Sequence, residues 1–200
     1  MFQNAFVFNQ NISTWNVSLV TDMQYMFNNA RVFNQPIGDW NTSSVTNMAY
    51  MFFTAEIFNQ TIGNWNVSSV TNMSSMFRNT SFNQPIGGWN ISSVTNINAM
   101  FLSATSFNQN ISSCNVSSVT NMGYAFHNAT TFNQPIGSWN VSSVTDMYFL
   151  FNGSSSFNQS LVDWNISLVT NMGSMFYGTA WLARYTNCGY DNSHSACSEF

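Results

Sequence analysis

Asparagines at a fixed spacing are the residues of this sequence whose type and context could do chemistry. Seven of them each follow a tryptophan, or in one repeat a cysteine, and each is followed two residues later by serine with no intervening proline. This pattern is the acceptor sequence for N-linked glycosylation and predicts one sugar attachment point per repeat. The seven candidates are Asn16, Asn41, Asn66, Asn90, Asn115, Asn140 and Asn165.

The same asparagines also have a purely structural interpretation, which the sequence leaves open. Asparagine makes local hydrogen bonds to the backbone in turns. Acceptor sequences also occur off the row, at Asn72 and Asn110 for example, as chance predicts in a chain rich in Asn and Ser. A second asparagine row, from Asn9 to Asn158, follows the repeated phenylalanine, and we predict that it forms a buried ladder capping backbone groups.

The cysteines suggest a second kind of chemistry. Cys188 and Cys197 lie in a polar tail, and we predict a disulfide between them, which fits an oxidising compartment. Two free thiols in a disordered tail are the alternative. Cys114 occupies a position where the other repeats have tryptophan, so we expect a buried free thiol there.

Catalytic groups do not combine in a recognisable pattern. His127 and His194 are far apart in sequence and lack a clear metal or base partner, so both are interpreted as surface residues. Asp22 and Asp146 stand where other repeats have asparagine, and are interpreted as helix-start residues favoured by the helix dipole. Serine is abundant without a Ser/His/Asp arrangement. We therefore expect no enzyme activity, no cofactor and no metal.

Charge is scarce along the whole chain. Three arginines and no lysine stand against seven acidic residues, giving a net charge of −4. No basic stripe exists to meet phosphates, which argues against nucleic acid and against anionic membrane surfaces. No apolar run approaches the ~18 residues of a membrane span, so we expect no membrane insertion in this segment. Covalent N-glycans would supply the solubility that charge does not.

An internal repeat organises these residues. Phe-Asn-Gln recurs at Phe8, Phe33, Phe58, Phe82, Phe107, Phe132 and Phe157, with a spacing of 25 residues broken once by 24. A fixed period of this length is typical of a solenoid. We predict a repeat solenoid over residues 1–180, with seven full repeats after a partial one, and a C-terminal cap or tail over residues 181–200.

The pattern within one repeat predicts an α/β coil. Thr46-Asn47 is a candidate helix cap, and Met48, Met51, Phe52 and Ala55 follow at the spacing of one helical face. The alternation in residues 64–67 suits a very short strand that points Trp and Val inward and Asn outward. The predicted fold class is thus an α/β solenoid of about 25 residues per coil, with one short strand and one short helix.

The start of the chain lies in phase with the repeat. Met1-Phe2 matches Met26-Phe27, so we interpret the sequence as a piece of a longer or processed protein. An open solenoid end exposes apolar core. We expect either upstream sequence or another copy of the protein to cover it.

The repeat closely resembles the BspA-like surface-protein repeat, also known as the DUF285 family. The family pattern of Trp, Val-Ser, Val-Thr, Met, Met-Phe, Ala and Phe-Asn matches residues 15–34 and their equivalents over residues 1–180. The resemblance implies a leucine-rich-repeat-like solenoid, an extracellular or cell-surface location, and adhesive or structural roles. It supplies no catalytic residues. The family commonly has aspartate after the tryptophan, where this chain has asparagine throughout.

Three functions remain as expectations. The first is an extracellular structural glycoprotein that self-associates end to end into a surface filament or coat. The second is a cell-surface adhesion module that binds a partner or a glycan along the strand face. The third is ice binding by the regular threonine row from Thr21 to Thr170, although those threonines are better explained as helix caps.

Overall fold

A computed structural model describes residues 1–184, and this part of the chain is a stack of repeats with almost no regular secondary structure. Its one helix is α1, Ala180–Arg184. The β contacts in the same residues are six isolated parallel bridges. They join residues 24 or 25 apart, so each repeat, called a coil below, lies directly on the next. The bridging residues form one column made of Asp22, Asn47, Asn72, Asn96, Asn121, Asp146 and Asn171.

The predicted helix in each repeat is wrong. Residues 49–54 form consecutive turns in which Tyr50 (φ 58°) and Thr54 (φ 55°) adopt left-handed backbone conformations. Some amides bond within a turn, as Met51 N does to Met48 O at 3.2 Å. Others bond to the next coil, as Tyr50 N does to the Ser74 carbonyl at 2.8 Å.

Stacking explains why turns replace the helix. A helix this short is marginal and leaves four N–H and four C=O groups unpaired at its ends. In the stack, the neighbouring coil provides partners for these groups. The spacing of the apolar residues, which predicted a helical face, indicates only which side chains point inward. Consecutive turns place the same side chains in the core.

The predicted short strand is also wrong, although the directions of its side chains are right. Residues 63–64 and 68–69 are turns, and the Trp65 amide bonds locally to Ile62 O at 3.1 Å. Trp65 and Val67 are buried, while Asn66 between them is exposed. The bridge column instead lies at the position where we predicted helix caps.

The threonines next to the bridge column are therefore not helix caps. From the second coil onward, each threonine amide bonds to the threonine carbonyl of the preceding coil, as Thr46 N does to Thr21 O at 2.8 Å. The Thr46 hydroxyl donates to the same oxygen at 3.1 Å, and this arrangement is repeated along the row. All seven threonines are exposed.

Columns of identical side chains fill the core. Within one coil the Phe52 and Phe58 rings stack at 3.8 Å, and Phe52 contacts Phe77 of the next coil at 5.8 Å, in both cases with nearly parallel planes. Both Phe52 and Phe77 are fully buried. The indole Nε1 of Trp65 donates to the Ile37 carbonyl of the preceding coil at 3.0 Å. The inward rows predicted from the sequence thus form one continuous core.

The single 24-residue step does not interrupt the stack. Asn72 still bridges to Asn96, and Asn83 N still bonds to the Asn59 side chain, so the missing residue is absorbed between Asn79 and Phe82. At the C-terminal end the Trp181 ring stacks on Phe176 at 3.9 Å. Across residues 1–184, no helix is long and apolar enough to cross a membrane.

Candidate functional sites on the coil surface

The seven asparagines of the glycosylation sequences all lie exposed on the surface of the stack. The side-chain oxygen of Asn66 accepts a hydrogen bond from Ser68 N at 3.1 Å and another from the Ser68 hydroxyl at 2.8 Å. The backbone bond recurs in all seven coils. The local turn role of these asparagines is therefore present, and it uses only the oxygen of the amide.

None of these hydrogen bonds uses the amide nitrogen of the asparagine. Glycan attachment replaces a hydrogen on this nitrogen. A sugar on Asn66 is therefore compatible with both hydrogen bonds from Ser68. The structural and the glycan interpretations can hold together at the same residue.

The second asparagine row forms a ladder, but it lies at the surface instead of being buried. The Asn34 side-chain oxygen accepts from Asn59 N at 2.9 Å and from the Gln60 amide at 3.0 Å. Gln60 also donates to the Asn34 carbonyl at 2.9 Å. The ladder runs from Asn9 to Asn158, and its members are exposed or half-buried. It caps backbone groups, as the sequence predicted.

The predicted disulfide partners Cys188 and Cys197 lie outside the described residues. Cys114 is a buried free thiol, as predicted, and burial raises its pKa to about 11. Because cysteine replaces the tryptophan of other coils, an apolar cavity of about 30 Å³ remains beside it. Trp89 and Trp139 of the adjacent coils line this cavity. A thiol in these surroundings is unsuited to nucleophilic chemistry.

His127 was expected to be an isolated surface residue, but it is half-buried in a group of aromatic rings. Its ring meets Tyr124 and Phe149 edge-on, with centroids 5.8 and 5.7 Å apart. Its Nε2 lies 3.2 Å from the Asn128 amide nitrogen. Burial lowers the pKa of His127, the Asn152 backbone opposes this shift, and the charge of Arg78 adds to it. His194 lies outside the described residues.

We call Tyr124, His127, Tyr148 and Phe149 the aromatic patch. The Tyr124 ring lies 5.4 Å from both the Tyr148 and the Phe149 rings, and Tyr148 lies 4.3 Å from Phe149. This patch was not predicted from the sequence, in which the segment was interpreted as a helix. The sequence signal is clearest at Tyr148, because no other coil has an aromatic residue at that position and Ala49, Ser74, Gly123 and Gly173 stand there in four coils.

Acidic residues do not gather into a metal site in the described part of the chain. Residues 1–184 contain no group of three or more His, Cys, Asp or Glu side chains placed to hold a metal ion. The Asp146 carboxylate instead accepts a hydrogen bond from Tyr148 N at 3.0 Å within its own turn. Burial raises the pKa of Tyr124, and the neighbouring Tyr148 and Asp146 raise it further.

Coils of 24 or 25 residues, stacked through parallel bridges and side-chain ladders around a core of Phe, Met, Trp and Val, define a repeat protein. The chain belongs to the family described as "Mycoplasma protein of unknown function, DUF285", whose family model matches residues 1–113 and 78–187. No curated protein and no solved structure matches the chain.

Proposed function

We propose that this protein is an extracellular structural repeat glycoprotein whose copies associate end to end. The observation that carries the proposal is the distribution of exposed apolar side chains in residues 1–184. Large exposed hydrophobic residues occur in the first coils and in the last, and none lies between residues 58 and 161. The hydrophobic side chains of the central coils are at most partly exposed, so apolar contact between copies is favoured at the ends.

The first coil also has unfinished backbone and side-chain columns. Trp15 is 40% exposed, whereas Trp40 in the next coil is 4% exposed. Thr21 is the first residue of the threonine row. Every later threonine amide in this row donates to the threonine carbonyl of the preceding coil. A further coil placed on this face would bury Trp15 and accept the Thr21 hydrogen bond, as the rest of the stack does.

One surface row supports contacts at both ends. In the five central coils this row is serine, and the serine hydroxyls donate to a carbonyl of the preceding coil, as Ser93 does to Ser68 O at 2.8 Å. In the first and last full coils the row is Leu19 and Leu168, which are 90% and 56% exposed. Head-to-tail contact of unlike ends generates an open filament.

The test compares the association of the protein with that of the double variant Leu19→Ser/Leu168→Ser. Both substitutions install the residue of the central coils, so folding should be retained. We expect the parent protein to form concentration-dependent oligomers in sedimentation velocity and rods in electron micrographs, and the variant to shift toward monomer. Ser93→Ala, in the middle of the same row, is the control and should leave association unchanged. A strictly monomeric parent protein would contradict the proposal.

Glycosylation and location need a separate test on protein from its native source. The exposure of all seven asparagines and the scarcity of charge support a row of N-glycans. We expect peptide mass spectrometry to find sugar on some of the seven, and antibodies to label intact cells. Bare asparagines on protein that remains inside the cell would remove both the glycan and the extracellular parts of the proposal.

Ice binding is a second candidate, favoured by the exposure and regularity of the threonine row. The hydroxyls donate along the row, which fixes their orientation and leaves the side chains presented at the coil spacing of ~4.8 Å. The test is thermal hysteresis of the purified protein against Thr95→Tyr, which places a bulky ring in the middle of the row. Absence of hysteresis in the parent protein would discard this candidate.

A further inference from the structure

The aromatic patch is not required by the repeat fold. Tyr124 (φ 59°) and Phe149 (φ 55°) occupy the same left-handed position of adjacent coils. A residue with a side chain costs roughly 1–2 kcal/mol in this conformation, and a bulky one is unusual there. Ser75, Ala99 and Ser174 hold the same position in three other coils with the same backbone, whereas Tyr25 and Tyr50 hold it in the remaining two and stack on each other at 4.9 Å. The fold thus forms without aromatic residues there, and their presence calls for another explanation.

The rings of the patch form one half-buried surface that spans two coils. Each of the four side chains is partly accessible, and each contacts at least two of the others. Gly173 makes room for this arrangement, because a Cβ there would lie 2.9 Å from the Tyr148 ring. The rings are therefore held by one another and by the backbone before any ligand binds, which lowers the entropic cost of binding.

Polar groups border the patch around Gly123. A Cβ on Gly123 would lie about 3 Å from the Asn98 amide nitrogen, the Asp146 Oδ2 and the Asn121 Oδ1. Asn98 donates weakly to Asn121 at 3.3 Å, and Asp146 uses its Oδ1 for the Tyr148 amide. Amide, carboxylate and phenol groups with remaining hydrogen-bonding capacity therefore lie next to the rings.

The size of the patch discriminates between classes of ligand. Four half-buried aromatic side chains offer no more than roughly 500 Å² of accessible area, since each can bury ~150–250 Å² in total. A stable protein interface needs about 800 Å² from each partner. The border of the patch contains one acidic side chain, Asp146, and one cation, Arg78, acts on His127 from nearby. No cluster of like charges is present there, which disfavours a strongly charged ligand. The patch is matched to a small, neutral ligand with both an apolar face and hydroxyl groups.

We propose that the aromatic patch and its polar border bind neutral carbohydrate. The apolar C–H face of a sugar ring would lie on the Tyr and Phe rings, while its hydroxyls bond to the Asn98, Asn121 and Asp146 side chains. This combination of an apolar floor and a few directed polar groups is typical of small-ligand sites. The site is independent of end-to-end association.

The test is binding to an array of neutral oligosaccharides built from hexoses and N-acetylhexosamines. The protein is produced in a host without N-glycosylation and carries Leu19→Ser/Leu168→Ser, so neither its own sugars nor self-association affects the result. We expect binding to at least one neutral oligosaccharide, and at least a tenfold loss in Tyr124→Ser/Phe149→Ser. The matched control Tyr25→Ser/Tyr50→Ser changes the same backbone position in distant coils and should bind normally.

Three results would overturn the proposal. They are no binding to any neutral oligosaccharide, equal binding by the Tyr124→Ser/Phe149→Ser variant, and equal loss in the Tyr25→Ser/Tyr50→Ser control. Thermal unfolding of both variants distinguishes loss of the site from loss of the fold. Binding only to the polyanion heparin, included on the array, would also contradict a neutral ligand.

Discussion

At the scale of single residues, the asparagine that follows each core tryptophan combines a turn role with a candidate modification role. Its oxygen organises the turn to serine, while its nitrogen is the atom to which a glycan would be attached. Aspartate, which retains the oxygen and lacks the nitrogen, separates the two roles experimentally.

Asn66→Asp and Asn66→Ala should therefore differ in stability. Aspartate keeps both acceptor bonds from Ser68, so we expect the free energy of unfolding to change little. Alanine removes them, and we expect a loss of about 0.5–1.5 kcal/mol. Urea unfolding of unglycosylated protein, followed by tryptophan fluorescence, measures the difference. Equal stability of the two variants would show that the turn bonds contribute nothing.

Cys114→Trp should stabilise the protein. The ring would fill the apolar cavity of about 30 Å³, and its Nε1 would reach the Ile86 carbonyl, as Trp139 reaches Ile111 O at 3.1 Å. Filling a cavity while satisfying the indole N–H favours a gain of about 1 kcal/mol. Cys114→Ala, the control, enlarges the cavity and should lower the melting temperature. A lower melting temperature for Cys114→Trp would indicate overpacking.

His127 makes stability depend on pH. Because burial lowers its pKa in the folded state, the unfolded state binds the proton more readily. The free energy of unfolding should therefore fall as the pH drops below the ordinary histidine value of 6.5. His127→Asn, the residue found at position 152 of the next coil, removes this contribution. We expect the difference in urea midpoint between pH 7.5 and 5.5 to be smaller in the variant than in the parent protein.

At the scale of the element, each coil is built from turns whose left-handed residues recur at two positions. One of these positions is mostly asparagine or glycine, residues that adopt this conformation readily, as at Asn29, Asn79 and Gly153. Thr54 breaks the pattern with a β-branched side chain at φ 55°.

Thr54→Asn should accordingly raise stability by about 1 kcal/mol, because asparagine tolerates positive φ. Asn29, at the equivalent position of the preceding coil, shows a hydrogen bond that the new amide could also form, since its Nδ2 donates to Asn4 Oδ1 at 2.8 Å. The control is Thr105→Asn, on an exposed turn with no positive φ, which should have little effect. The melting temperatures of the two variants check the prediction, and an equal rise in both would refute the conformational explanation.

At the scale of the whole molecule, the backbone of each coil is paired with its neighbours, so the centre should open less often than the ends. Hydrogen exchange should therefore be slowest for central amides such as that of Thr95, which bonds to Thr71 O at 2.9 Å. The Thr21 amide in the first coil should exchange fastest along the threonine column. Slow exchange at Thr21 in concentrated protein, but not in Leu19→Ser/Leu168→Ser, would further support association through the ends.

The sequence by itself determined the repeat length, the inward columns and the outward asparagines. The periodic spacing of apolar residues indicates which side chains are buried, and it can be read from one repeat. Trp65 and Val67 are buried and Asn66 is exposed, although these residues do not form a strand. The family membership of the chain also followed from the same residues.

Only the tertiary structure decided the backbone conformation and which side chains lie together on the surface. The hydrogen-bond partner of Tyr50 N lies 24 residues away, at Ser74 O, so the choice of turns over a helix depends on a neighbouring coil. The aromatic patch likewise joins Tyr124 to Tyr148 across two coils. Local periodicity encodes burial, but the pairing of backbone groups in a stack is set by contacts between repeats, which no single repeat contains.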